Sequence, residues 1–535
     1  MLLRKIILSF IILITSFLGV NAQEAHVPGE LILQLHSNTN IDSWLSEKQQ
    51  THSSLQIKEQ LMENTYLLTF EESLEATIFN SLRADPAVNA LQFNHVLQWR
   101  SIRPNDTKYE QWQWNLELMG LPDAWEHTTG GLTALGDTIV VAVLDGGCDL
   151  AHEDLADNIW YNHQEIPGDG IDNDQNGFID DYQGWHLTQN NDQHYASGHG
   201  TSVNGIIGAV GNNAKGMAGI NWQLKLMQLS AGEADLVLES NILKGYNYVL
   251  NMRRLYRTSN GQKGAFVVAA NLSAGIDFAD AVDYPLWCAV YDSLGKEGIL
   301  CSGATMNNYI NVDLKGDMPT TCPSGFLITS TNSSQYDALA QNSAYGPIHV
   351  DMAAPGAVYT TRVGDTYNVF GGTSGAAPHL AGAVALLAAY PNSDWAYRLK
   401  TEPAETALAI RSFLLWTVAR NEAFADKTAS GGRLDIGAAM ALLHQSYTKP
   451  ENNIAINFFG DGAQALIRFE ISELGDYRWA ITDALGRLRY QDSFVADQIG
   501  HKSIWLNWDP SSHEILFLQL LKNGKRVASR KFLRN

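Results

Sequence analysis

Residues 138–147 read TIVVAVLDGG. Thr138 to Leu144 is an unbroken apolar or β-branched run, the pattern of a strand buried on both faces. Asp145-Gly146-Gly147 ends it, which puts a carboxylate at the C-terminal end of that strand, where open α/β sheets carry their functional groups. Ala265 to Ala270 and Gly298 to Ser302 are similar short apolar runs. Helical patterns lie between and after them, including Asn204 to Val210, Glu239 to Leu255 and Ala376 to Tyr390. Buried strands alternating with helices predict an α/β domain over residues 107–446: a doubly wound, mostly parallel sheet with helices on both faces.

The flanks differ. Over residues 23–105, Leu31, Leu33 and Leu35 recur at period two, Thr65 to Phe70 reads as a second strand, Ser73 to Leu82 as a helix and Val96 to Trp99 as a third strand. This predicts a small α+β unit. Residues 101–106 (SIRPND) read as a linker. Residues 450–535 predict a small all-β domain, with strands at Ala465 to Ile471, Tyr477 to Thr482, Leu488 to Phe494 and Ile515 to Leu521, and Asn523-Gly524 marking a tight hairpin.

The chain has 535 residues, 45% hydrophobic and 17% charged, with 36 Lys+Arg against 57 Asp+Glu and a net charge of −21. So acidic a chain repels phosphate backbones, which argues against nucleic acid as a partner. Four cysteines (Cys148, Cys288, Cys301, Cys322) are too few for a disulfide scaffold, and two bridges could pair in three ways. Residues 1–22, MLLRKIILSFIILITSFLGVNA, have a basic start, an apolar stretch and a small-x-small end, the form of a secretory signal peptide. Ile6 to Val20 is shorter than the roughly 20 residues needed to span a bilayer. No later stretch spans either, so the mature chain is expected without a transmembrane helix, secreted or at the cell surface.

Three residues carry nucleophilic chemistry. Asp145 ends its strand, His199 sits in Gly198-His199-Gly200-Thr201, and Ser374 sits in Gly372-Thr373-Ser374-Gly375-Ala376-Ala377-Pro378. A serine hydroxyl needs a base to take its proton and a carboxylate to orient that base. The blocks DGG, GHGTSVNG and GTSGAAPHLAG, in that order, resemble the signature blocks of the subtilisin-like serine proteases, the subtilases. The resemblance implies a peptide-bond hydrolase with Asp145, His199 and Ser374 as its triad, acting on protein or peptide substrates. It implies that Ser273, Ala274 and Gly275 line the substrate, and that Ala353 to Gly356 is a structural segment before the serine. It also implies that residues 27–100, starting VPGELIL, are a propeptide, an inhibitor and chaperone cut off within Arg100 to Lys108.

The chain departs from the family pattern at Gly146 after the aspartate, at Ser202 and Asn204 in the histidine block, and at Gly375 after the serine. The family's oxyanion asparagine follows an apolar strand. Direct register puts Ala304 there, and a short shift offers Asn307 or Asn308, of which Asn307 is taken as the donor. Between Asp145 and His199, Gly170 to Asp181 reads GIDNDQNGFIDD. Asp172, Asp174 and Asn176 alternate before Gly177, as at the start of a calcium loop, with Asp180 or Asp181 standing in for the missing glutamate. Residues 450–535, with Ile481 to Arg487 and the closing KNGKRVASRKFLRN, resemble type IX secretion sorting domains of Bacteroidota, which implies the secretion machinery as a partner. The alternative is a catalytically silent subtilase fold acting as a calcium-dependent binding or surface protein.

Overall fold

The computed structural model describes residues 26–95, 102–233, 236–447, 454–459, 464–471, 474–483, 487–496, 500–507, 515–523 and 525–533. The expected signal peptide and the expected strand Val96 to Trp99 lie outside them. The chain divides into two compact units, residues 1–100 and 101–535.

The first unit is a four-stranded antiparallel sheet, β1 (His26–Leu35), β2 (Gln56–Met62), β3 (Thr65–Thr69) and β4 (Val88–His95), in the order β2-β3-β1-β4. Helices α1 (Ile41–Gln49) and α2 (Glu75–Arg83) accompany it. Leu31, Leu33 and Leu35 are buried with Trp44, Ile78 and Leu82, so the period-two face of β1 is the core face.

The second unit opens with residues expected as a linker. They are instead fastened down: the Asp106 carboxylate accepts the Asn212 N–H at 2.6 Å, and the Asn105 side-chain oxygen accepts the Ala214 N–H at 2.8 Å. Polar composition suggested an unattached linker, but here the polar groups bond the 212–216 loop.

The central sheet contains β5 (Ile139–Asp145), β6 (Lys225–Ser230), β7 (Phe266–Leu272), β8 (Leu300–Ala304), β9 (Leu327–Ser333) and β10 (Met352–Pro355). Their order is β10-β9-β8-β7-β5-β6, all parallel, with short strands beyond each edge. Alternate residues of β5 feed two cores. Ile139, Val141 and Val143 pack with Val203, Ile206, Leu380 and Val384, while Val140, Ala142 and Leu144 pack with Ile242, Tyr246, Trp287 and Tyr291. A strand apolar on both faces needs helices on both sides, and each fully buried Val, Leu or Ile contributes about 1.5–3 kcal/mol.

Helix α3 (Gly198–Gly208) packs beside α4 (Thr373–Ala388), which crosses β7, β8 and β9. All of α4 is buried except Ser374. A helix apolar all round belongs in a core, and its Ala and Gly residues let it approach closely: a Cβ on Gly382 would lie 2.8 Å from Ile220.

Residues 454–533 form two antiparallel sheets, 454–459/464–471/500–507 and 488–496/475–483/515–522/525–533, around Ile467, Phe469, Trp479, Ile481, Leu518 and Leu520. Lys522 pairs with Lys525 across the Asn523 turn, where Asn523 has φ 50°, as a tight hairpin requires. Cys288 and Cys322 are disulfide-bonded, while Cys148 and Cys301 are buried free thiols.

Candidate active site

Adjacent parallel strands deliver the site from their C-terminal ends. Leu144 pairs with Leu272 and Leu272 with Gly303, so Asp145, Ser273 and the turn after Ala304 emerge side by side. The Asp145 side chain is 6% exposed. The His199 Nδ1–H donates to both of its oxygens at 2.9 Å. A carboxylate only accepts, so the ring proton sits on Nδ1 and Nε2 keeps its lone pair. Burial disfavours the charged imidazolium, but the Asp145 hydrogen bond and negative charge outweigh it, so the His199 pKa lies above the ordinary value.

Glycines set the approach of α3 to this loop. A Cβ on Gly200 would lie 1.9 Å from the Gly147 carbonyl oxygen. Three of the four departures from the family pattern have local explanations. Ser202 Oγ–H donates to the Thr361 carbonyl at 2.9 Å, and buried Asn204 pairs its amide with Gln228. At Gly375 a Cβ would meet the Gly356 carbonyl oxygen at 2.2 Å, so this backbone excludes a larger residue. Cys148, three residues past Asp145, is fully buried, and burial pushes its thiol far above the ordinary range, which disqualifies it as a nucleophile.

Ser374 lies in the first turn of α4. Pro378 inside the helix has no N–H to give the Ser374 carbonyl. The Ser273 hydroxyl supplies the donor instead, at 3.1 Å, and Ser374 Oγ–H in turn donates to the Ser273 carbonyl at 3.4 Å. Asn271 donates to Ser273 Oγ at 3.1 Å and accepts from Ser302 Oγ at 2.8 Å, so β7 and β8 both brace this contact. Next along α4, His379 Nδ1–H donates to the Gly375 carbonyl at 2.7 Å, and burial drives its pKa down to about 4, keeping the ring neutral. Among the described residues Ser374 and His199 make no direct hydrogen bond; such contacts are commonly loose in unliganded enzymes and tighten with substrate.

Asn307 sits beneath the serine turn. Its side-chain oxygen accepts the Thr373 N–H at 2.9 Å and Thr373 Oγ–H at 3.1 Å. With the oxygen taken, the exposed Nδ2 is the group left to donate. The turn that carries it is fixed from a distance, because Met306 N–H donates to the buried Asp317 carboxylate at 3.1 Å. Ala304 stays in the ladder as the last residue of β8. Asn308 is exposed one residue further on, and Ala274 and Gly275 continue from Ser273 toward the surface.

The acidic loop is rearranged relative to expectation. Asp174 and Asp181 join Glu165, all buried, with ligand oxygens within 4.8 Å of one another. Glu165 was missed because it precedes the loop. Asp172 instead accepts the backbone N–H groups of Asn176 and Gly177, and Asp180 those of Gly168, Asp169 and Gly170. Asn176 turns its amide nitrogen toward Asp174 and Asp181, and its oxygen accepts from Phe178 N–H. Burial raises the Asp174 pKa and pushes Asp181 up to about 6.

The subtilase family profile matches residues 136–447, more than half of the chain. The chain belongs to the subtilase family. Subtilisin-like protease 1 of Plasmodium berghei (strain Anka) is 29% identical over 345 residues, covering 62% of this chain and 53% of that protein. This subtilase therefore spans about half the length of that relative. The thermophilic serine proteinase of Bacillus sp. (strain AK1) is 28% identical over 376 residues, covering 68% of this chain and 79% of its own. A solved structure of proteases from Pseudoalteromonas arctica is similar over 64% of this chain and 99% of its own, with 25% identity and a TM-score of 0.46.

Two outcomes follow from the geometry. Replacing Ser273 by Ala leaves the Ser374 carbonyl without its donor, an unsatisfied group worth about 1–3 kcal/mol. Thermal unfolding should shift down accordingly, with Ser273→Thr closer to wild type. Second, a base role for His199 would require the ring to be neutral, and its pKa is raised. The acid limb of kcat/KM should therefore lie above pH 6.5, and Asp145→Asn should move it down while cutting the rate, measured as a pH profile on a peptide substrate.

Proposed function

We propose that this subtilase is a secreted serine endopeptidase made as a self-processed proenzyme. The observation that carries the reading is the His199 Nδ1–H held by both oxygens of buried Asp145, on a helix packed beside the one that opens at Ser374. Ser374 Oγ attacks the scissile carbonyl as its proton passes to His199 Nε2. The Ser374 N–H, in a first helical turn with no intrahelical acceptor, and Asn307 Nδ2–H donate to the oxyanion. Collapse expels the amine, which takes the proton from His199. Water then repeats the steps on the acyl-enzyme. Ser273, Ala274 and Gly275 pair with the extended substrate backbone.

Residues 23–105 act as the propeptide, residues 1–22 as the export signal, and residues 450–535 as the sorting domain read by the secretion machinery. The folded first unit supports the first assignment and the all-β fold of the last segment is compatible with the third. A Ser374→Ala chain should keep its first 80 or so residues while the wild type loses them, read by intact-mass spectrometry. Equal processing of both would refute self-cleavage.

The donor set suits calcium. Glu165, Asp174 and Asp181 are three buried carboxylates, and hard divalent cations take such oxygens. Lys263 Nζ stands near as a cation, but it bonds the Asp174 backbone carbonyl at 2.9 Å, not a carboxylate. These residues would hold the ion as a structural cross-link that stabilises the folded state by mass action. Excess chelator should lower the melting temperature by several degrees, and Asp181→Asn should abolish that difference. An unchanged melting curve in chelator would contradict the assignment.

A further inference from the structure

The hairpin of β11 (Val358–Arg362) and β12 (Thr366–Phe370) is fastened to the His199 helix. Thr360 Oγ1–H donates to the Ser202 carbonyl at 2.8 Å and Thr361 Oγ1–H to the Thr201 carbonyl at 2.7 Å. The next residue is Arg362. Its guanidinium carbon lies 5.5 Å from the centre of the Phe370 ring, and its Nη2–H donates to the Val369 carbonyl at 2.9 Å. Phe370 stands edge-on to the His199 ring at 5.1 Å. A Cβ built on Gly198 would lie 3.9 Å from Arg362 Nη1, so the guanidinium borders the first turn of that helix.

Among the described residues this cation has no anion. Among the described residues no carboxylate lies within ion-pair distance of Arg362, in a chain with 57 acidic residues against 36 basic ones. The carboxylates of the neighbourhood are engaged elsewhere: Asp145 by His199, Asp149 by the Gly364 N–H and Asp365 by the Glu153 N–H. The N-terminal end of a helix is itself positive, so Arg362 adds charge of the same sign to it. An arginine placed over an aromatic ring and hydrogen-bonded to one carbonyl, with no other hydrogen bond among the described residues, is a ready receptor for a carboxylate.

The location sets the side of the substrate. On the proteolytic reading, the acyl half of the substrate lies along Ser273 to Gly275, and His199 hands its proton to the leaving amine. The chain beyond that amine therefore passes His199 and Phe370 toward Arg362. At about 3.3–3.4 Å per extended residue, the side chains within reach are those of the first two residues after the cleaved bond. We propose that Arg362 is a specificity residue that selects an aspartate or glutamate at the first or second position on the leaving-group side. This rests on the proteolytic reading above.

The experiment is cleavage of a complex peptide library by the purified, processed chain, with sequencing of the new N-termini by mass spectrometry. The wild type should enrich Asp and Glu about 3–10-fold at the first or second residue, an effect that shrinks in high salt. R362Q should remove the enrichment and R362E should replace it with Lys and Arg. The wild-type profile and its salt dependence test the inference even if a variant fails to fold. Cleavage without acidic enrichment in the wild type overturns the role of Arg362 and leaves the protease reading standing. No cleavage of any peptide overturns both.

Discussion

The in-register parallel pairing of β5, β7 and β8 is the constraint on which the site depends. Leu144, Leu272 and Gly303 lie side by side in that ladder, so Asp145, Ser273 and the Asn307 turn leave together at the C-terminal ends of their strands. A slip of one residue would turn every side chain of a strand to the other face. Here both faces are filled, by Val141 and Val143 on one side and Ala142 and Leu144 on the other, so a slip would move side chains fitted to one core into the other.

Helix α4 completes the site through a defect. Pro378 deprives the Ser374 carbonyl of its helical donor, and Ser273 repairs the loss from the neighbouring strand. The same residue thus ties the end of β7 to the serine. The helix can sit there because small residues surround it: Gly375 meets the Gly356 backbone and Gly200 meets the Gly147 backbone at distances no side chain tolerates. Sequence positions that differ from the family pattern, such as Gly375, follow from these close approaches.

What the sequence made legible was what short-range pattern encodes. The run ending at Asp145 announced a doubly buried strand, and three short motifs located Asp145, His199 and Ser374. Contacts between distant segments were not legible. The position of the Asn307 turn depends on Asp317, eleven residues beyond Met306, and the buried acidic cluster recruits Glu165 from before the loop. Asp172 and Asp180 lie in the same loop and accept backbone N–H groups that shape it, a partnership between side chain and main chain that residue types alone do not reveal. The strands at 500–507 and 525–533 were overlooked because charged or polar residues interrupt their alternation, and the one at 454–459 because its six residues, IAINFF, do not alternate. Residues 102–106 looked like a linker because their partners lie more than 100 positions away.

In the proposed mechanism Ser374 is the nucleophile, and Asn307 Nδ2 with the Ser374 N–H receives the oxyanion. The most direct test is a crystal structure of the processed chain after reaction with a fluorophosphonate, whose phosphoryl oxygen stands in for that oxyanion. The account predicts phosphorus bonded to Ser374 Oγ, with the phosphoryl oxygen about 2.7–3.1 Å from both donors. An unmodified Ser374, or a phosphoryl oxygen turned away from Asn307, would contradict it.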